Sequence, residues 1–264
     1  MEVFFGYLAS GLIGISLGLL GGGGSILTVP VLVYLFHVDP SLATLYSLFI
    51  VGTTSLVGGI KSAINKQVDF RTANVFAWPS LLAVFIARQF ILPFIPEEIF
   101  HWSSFILTKD IALMVFFALI MLAAAISMLR SEKYKPETDG AQPNYFRIMM
   151  KGFGVGLLTG LIGAGGGFLI IPALVLLAGL PMKKAIGTSL IIIAFNSLLG
   201  FLGDVGSGQP INYWFMIIIS GIAIAGVFVG NYVAKFIPAR RLKNAFAGFV
   251  LVMAVWILVK ELVF

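Results

Sequence analysis

The chain contains no cysteine. That excludes disulfides, thiolate-held metals and cysteine-based capture of a substrate, and it leaves the compartment open. Charge is scarce as well: 11% of the 264 residues are Asp, Glu, Lys or Arg, against about 25% in soluble domains. No Asp, Glu or His falls in the middle of an apolar run; Asp39, Asp69, Asp110 and Asp204 stand at run ends or in loops. A proton-coupled pump ordinarily keeps such a group at membrane depth, so none is expected, and with no acidic ring or mid-span carboxylate to bind a cation a cation transporter is the weaker variant. His37 and His101 have no partner at ligand spacing, and no metal or other cofactor is expected. There is no basic stripe interleaved with aromatics, so the net charge of +6 reads as loop lysines and arginines, not as a nucleic-acid surface. Nor does a basic residue precede the first apolar run, as it does in a cleaved signal peptide; the N-terminal stretch is expected to belong to the fold.

What is there is hydrophobic sequence interrupted by glycine. Apolar residues make up 59% of the chain and mean hydropathy is +1.06, the composition of an integral membrane protein. A run of GGGGSILTVP at 21–30 recurs as GAGGGFLIIP at 163–172. Glycine inside a helix costs about 1 kcal/mol relative to Ala. Backbone broken at membrane depth must be satisfied by protein or by a water-filled cavity. Two such breaks in matching places point to the substrate site of a transporter.

Apolar runs at 3–20, 26–36, 41–60, 72–92 and 107–129 precede the hydrophilic stretch 130–147, and runs at 148–162, 168–178, 185–202, 213–234 and 244–263 follow it. This divides the chain into a first membrane repeat, 1–129, a linker, 130–147, and a second repeat, 148–264. The halves match at an offset of 142: Gly14, Gly18, Gly21, Pro30, Ser47, Ser55, Gln67 and Pro96 fall on Gly156, Gly160, Gly163, Pro172, Ser189, Ser197, Gln209 and Pro238. Equivalent loops carry opposite charge bias. Lys61, Lys66 and Arg71 answer to none around 204–212, while Lys183 and Lys184 answer to none at 37–41. The positive-inside rule then makes the halves inverted, with the linker cytoplasmic and both termini extracytoplasmic. Inversion requires an odd number of crossings per half. The runs 26–36 and 168–178 are too short to span alone, so each glycine-broken pair is expected to return as a hairpin. A parallel repeat, with each pair one kinked span, is the alternative. The expected fold is an all-α polytopic membrane protein of two inverted repeats, each a re-entrant helical hairpin plus three transmembrane helices.

A helix start presents unpaired N–H groups and about half a positive charge, and holds oxyanions without any charged side chain. The candidate binding residues are therefore Gly22, Gly23, Gly24 and Ser25 of the first break, with Ser25 at the cap position, and Gly165, Gly166 and Gly167 of the second. Glycine there lets backbone approach a ligand, whereas Gly14/Gly18 and Gly156/Gly160, four apart, read as helix-packing residues. Ser47, Ser55, Ser189, Asn196 and Ser197 are candidates for lining the path; hydroxyls inside a span also bond back to their own helix. Gln67 and Gln209 read as loop anchors and Arg88 as a snorkelling side chain.

The paired glycine motifs ending in Pro, with the AIGTSL continuation at 185–190, resemble the sulfite exporter TauE/SafE family of membrane permeases over nearly the whole chain. The resemblance implies a plasma-membrane transporter of small sulfur-containing anions such as sulfite, thiosulfate or organosulfonates, with 21–25 and 163–167 as binding loops. Departures are visible in the first half: Tyr46 stands opposite Thr188, and Arg88 opposite Gly230. An anion leaving an inside-negative cell gains about 2.3 kcal/mol per 100 mV, which favours export. An anion channel and a membrane-embedded enzyme are the alternatives; the second lacks paired intramembrane carboxylates or a Ser-His pair. Partners are the anion and the lipid bilayer, with homo-oligomerisation left open.

Overall fold

Gly21 ends the first helix. Its φ of +68° is left-handed, a conformation that costs residues with a Cβ roughly 1–2 kcal/mol, and the chain reverses within two residues. In the computed structural model, which describes residues 2–91, 94–96, 98–102, 105–130, 145–162, 167–205 and 211–263, α1 (Glu2–Leu20) stops there and α2 (Gly23–Tyr34) runs back along it. Gly24 lies against Ile13 and Leu17, and Gly6 and Tyr7 lie against Phe36 at the open end. The pair is a hairpin, not one kinked span. The 12 residues of α2 rise only about 18 Å, short of a crossing.

The second half repeats the device. α6 (Tyr145–Ile162) and α7 (Gly167–Pro172) take the places of α1 and α2. Pro172 has no N–H to give, and the helix loosens straight after it into a π-helical turn, Ala173–Leu177. His37 (φ 54°) and Gly179 (φ 70°) then close the two short helices alike. Val38 N–H donates to Leu32 O and Leu180 N–H to Leu174 O, both at 3.0 Å, so each left-handed residue is followed by the same backbone bond, one residue wider than that of a Schellman cap.

The remaining elements are α3 (Pro40–Ile64), α4 (Phe70–Ile86, prolonged by a π turn Ala87–Ile91), α5 (Lys109–Arg130), α8 (Met182–Asp204), α9 (Tyr213–Phe236) and α10 (Ala239–Val263). These six are long and apolar enough to cross a membrane, whereas α1, α2, α6 and α7 are shorter. The helical class read from the sequence holds, with one addition. α10 begins directly after Pro238, but α5 begins only at Lys109, well after the matching Pro96. An antiparallel hairpin, β1 (Glu98–Trp102) and β2 (Phe105–Thr108), fills the difference.

The halves interlock. The most extensive packing is α1 on α9, α3 on α8, α4 on α6 and α5 on α10, each pair drawn from both halves. Small residues permit it: a Cβ on Gly14 would lie 1.9 Å from Ala223 O, and one on Gly156 would lie 2.3 Å from Ser80 O. Glycines four apart are thus the crossing residues their spacing predicted. α3 and α8 run antiparallel, since Gly52 meets Leu198, Gly58 meets Leu190, and Gly187 meets Gln67.

Reciprocal hydrogen bonds lock the exchange. Asp69 caps α4, accepting from the N–H groups of Arg71 and Thr72, and Asn212 caps α9, accepting from that of Phe215. The N–H of each capping residue in turn donates across to the other half: Asp69 to Thr188 Oγ1 at 3.0 Å, and Asn212 to Tyr46 Oη at 2.8 Å. Tyr46 and Thr188 occupy one of the repeat positions at which the halves differ. Two unlike side chains there hold the same clamp.

Outside, the helices are apolar. Leu8, Leu12, Leu82, Phe85, Ile217 and Val252 are exposed, as a lipid-facing perimeter requires, and exposed Tyr213 and Trp214 begin α9 where interfacial anchors sit. Packing also brings the end of α3, the start of α8, the end of α9 and the start of α10 to one pole, and with them Lys61, Lys66, Lys183, Lys184, Lys235, Arg240 and Arg241.

Candidate functional site

The hairpin tips meet. Ser25 and Gly167 hold matching places in the two halves, and a Cβ on Gly167 would lie 3.2 Å from Ser25 Oγ. A Cβ on Gly22 would lie 2.5 Å from Gly167 O and 2.7 Å from Phe168 Cα. The starts of α2 and α7 are therefore juxtaposed, in close van der Waals contact at Gly22. Gly21 packs on Ile186 and Ser189 of α8, and Gly167 on Ile193, so α8 backs both tips.

Individual glycines do different work. Gly22 is the N-cap of α2 and meets the opposite hairpin. Gly24 faces inward to its own hairpin, where a Cβ would lie 2.5 Å from Ile13 O, and Gly23 has Leu20 and Ser16 nearest. Ser25 is not the cap the sequence suggested. It stands in the first turn, fully buried, and donates its hydroxyl to Gly22 O at 2.6 Å. With Gly22 free of a side chain, the helix starts three residues earlier than a serine cap would have it. Gly165 and Gly166 lie outside the described residues, as does Gln209.

Along α3 and α8 the hydroxyls separate into two kinds. Ser47 donates to Thr44 O and Ser189 to Ile186 O, both at 2.8 Å; this repeat-related pair bonds back to its own helices. Ser55 is fully buried and its Oγ has no partner among the described groups, nor has Oγ1 of neighbouring Thr54. The α3–α8 register sets both level with Asn196. Asn196 donates through Nδ2 to Ser80 Oγ of α4 at 3.1 Å, while its Oδ1 is buried and unpartnered. Ser197 is half-buried on α8. Ser80 was missed as a site candidate because it follows Pro79 in α4; only the approach of α8 gives it a polar neighbour. An unpaired buried hydroxyl or carbonyl costs about 1–3 kcal/mol, so this seam of α3 and α8, met by α4 at Asn196, is polar where the fold alone would favour apolar groups. It bears no charge. Such a seam offers hydroxyl and amide groups to a solute.

A profile of the family described as Sulfite exporter TauE/SafE matches residues 7–257. The chain belongs to that family. A "Probable membrane transporter protein" of Xylella fastidiosa (strain Temecula1) is 30% identical over 95% of this chain and 92% of its own length. One of Haemophilus influenzae is 27% identical over 94% and 95%, and YunE of Bacillus subtilis, also called a probable membrane transporter protein, is 27% identical over 72% and 74%. No solved structure matched. As a TauE/SafE member with these apolar helices, the chain is a multi-pass membrane transporter, and the relatives' names describe transporters, not enzymes.

Proposed function

We propose that this TauE/SafE transporter exports small sulfur-containing anions, such as sulfite, thiosulfate or organosulfonates, across the plasma membrane. They bind at the starts of α2 and α7, with Ser55 and Asn196 beside them. The observation that carries the reading is the contact of the repeat-equivalent Ser25 and Gly167, which sets two helix N-termini side by side without a charged residue. Helix-start dipoles attract an oxyanion, and the absence of an opposing fixed charge keeps release easy. With Gly22 pressed on Gly167, the tips form a closed barrier, and transport requires them to part. The antiparallel run of α3 and α8, equivalent helices of the two halves, supports inverted repeats, since repeats of the same orientation would set equivalent helices parallel. The basic pole is then cytoplasmic, with the linker, and the termini lie outside.

The test is the purified full chain in detergent and in liposomes. Sulfite or thiosulfate is expected to raise its melting temperature where chloride does not, and to leave loaded vesicles by a saturable flux that an inside-negative potential accelerates. No stabilisation and no flux with any sulfur oxyanion defeats the reading. Conductance far above carrier turnover would make the same site that of a channel.

A further inference from the structure

At the basic pole the structure holds a small cavity of about 30 Å³, room for roughly two waters on the measure by which one needs about 10–15 Å³, or for one compact oxyanion. Four elements converge on it. Ser62 comes from the end of α3, Asn65 and Gln67 from the turn that follows, Lys183 from the start of α8, and Asn231 and Lys235 from the end of α9. The lining contains two cations, three amide side chains and a hydroxyl, and no carboxylate among the described residues. The amide nitrogen of Asn231 is buried and has no hydrogen-bond partner among the described groups. The floor is formed by Gly18 and Ile186, and Ile186 packs on Gly21. The cavity therefore stands directly over the turn between α1 and α2.

We propose that this cavity is a second anion site: a vestibule that captures a small oxyanion at the basic pole and presents it to the tip of the first hairpin. Lys183 and Lys235 supply the attraction, and the amides of Asn65, Gln67 and Asn231 supply neutral donors. A lysine pair alone would hold any anion loosely in water. Amide donors around a space of this size select for compact oxygen-bearing anions and against chloride. The inference rests on the proposed oxyanion substrate, but it can fail separately.

A chain without cysteine allows a direct test. Asn65→Cys places one thiol on the cavity, and Gln67→Cys is a second position should the first disturb folding. Ala239→Cys at the exposed start of α10, beside Arg240 and Arg241, controls for the general potential of that pole. Reaction rates are measured for a methanethiosulfonate carrying a sulfonate and for one carrying a trimethylammonium, with sulfate as the unreactive competing ion. At the cavity thiol the anionic-to-cationic rate ratio is expected to exceed that of the control by about tenfold, the scale on which clefts of one charge concentrate counter-ions. Millimolar sulfate, not chloride, should slow the cavity reaction. Both effects should vanish in Lys183→Gln/Lys235→Gln. Equal ratios at the two positions, or no protection by sulfate, overturns the vestibule even if sulfite flux is intact. Protection without any sulfur-anion flux leaves the vestibule standing and removes the transport reading.

Discussion

At the scale of single residues, the glycine runs are not uniform binding loops. Gly24 is a packing residue of its own hairpin, while Gly22 is where the two hairpins touch. Gly22→Ala puts a methyl 2.5 Å from Gly167 O, so the tips must separate. We expect at least a tenfold loss of flux with helical content unchanged by circular dichroism; wild-type flux would remove the tip contact from the transport cycle. His37 illustrates the opposite case. It occupies the left-handed position that Gly179 fills in the second half, and a residue with a Cβ there is strained. His37→Gly should raise stability by about 0.5–1 kcal/mol, read as a higher melting temperature in detergent, with transport unaltered. Neither role was legible in sequence. Four consecutive glycines look alike until a neighbour is placed against each one.

At the scale of elements, what matters is exchange between the halves. The fourth helix of one half is capped at a residue whose N–H is held by the third helix of the other, through Thr188 for α4 and Tyr46 for α9. Tyr46→Phe and Thr188→Val each leave a part-buried N–H without its acceptor, at a cost of about 1–3 kcal/mol. They act at separate clamps, so the double variant should lose close to the sum; chemical unfolding of the three variants measures this. A double variant no worse than either single would mean that the two clamps are not independent. Periodicity and run length were enough to find the helices, including the short pairs. The clamp was hidden because the repeat position carries two chemically unlike side chains, and only their common partner reveals the shared function. The β1–β2 hairpin was likewise hidden, within a connection that has no counterpart in the second half.

For the whole molecule, the arrangement is a pair of interlocked halves whose equivalent central helices are antiparallel and whose Lys61, Lys66, Lys183, Lys184, Lys235, Arg240 and Arg241 gather at one pole. Placed in a cell membrane with that pole inside, the chain ends outside. A reporter fused after Phe264 should therefore read extracytoplasmic, and one inserted in the linker near 138 cytoplasmic. A cytoplasmic signal from the C-terminal fusion would reject the inverted orientation, leaving the helix packing as described.

The sequence by itself determined that this is a helical membrane protein, with a glycine run at one place on each side of the linker, matched at a fixed offset. Hydropathy, spacing and a fixed offset are local or linear properties, and they survive without any knowledge of contacts. Only the tertiary structure decided which break residues touch across the halves, which hydroxyls are spent on their own helices, and which lysines and amides share a cavity. The tip contact and the cavity join segments more than a hundred residues apart, and side-chain identity alone does not say what will stand opposite.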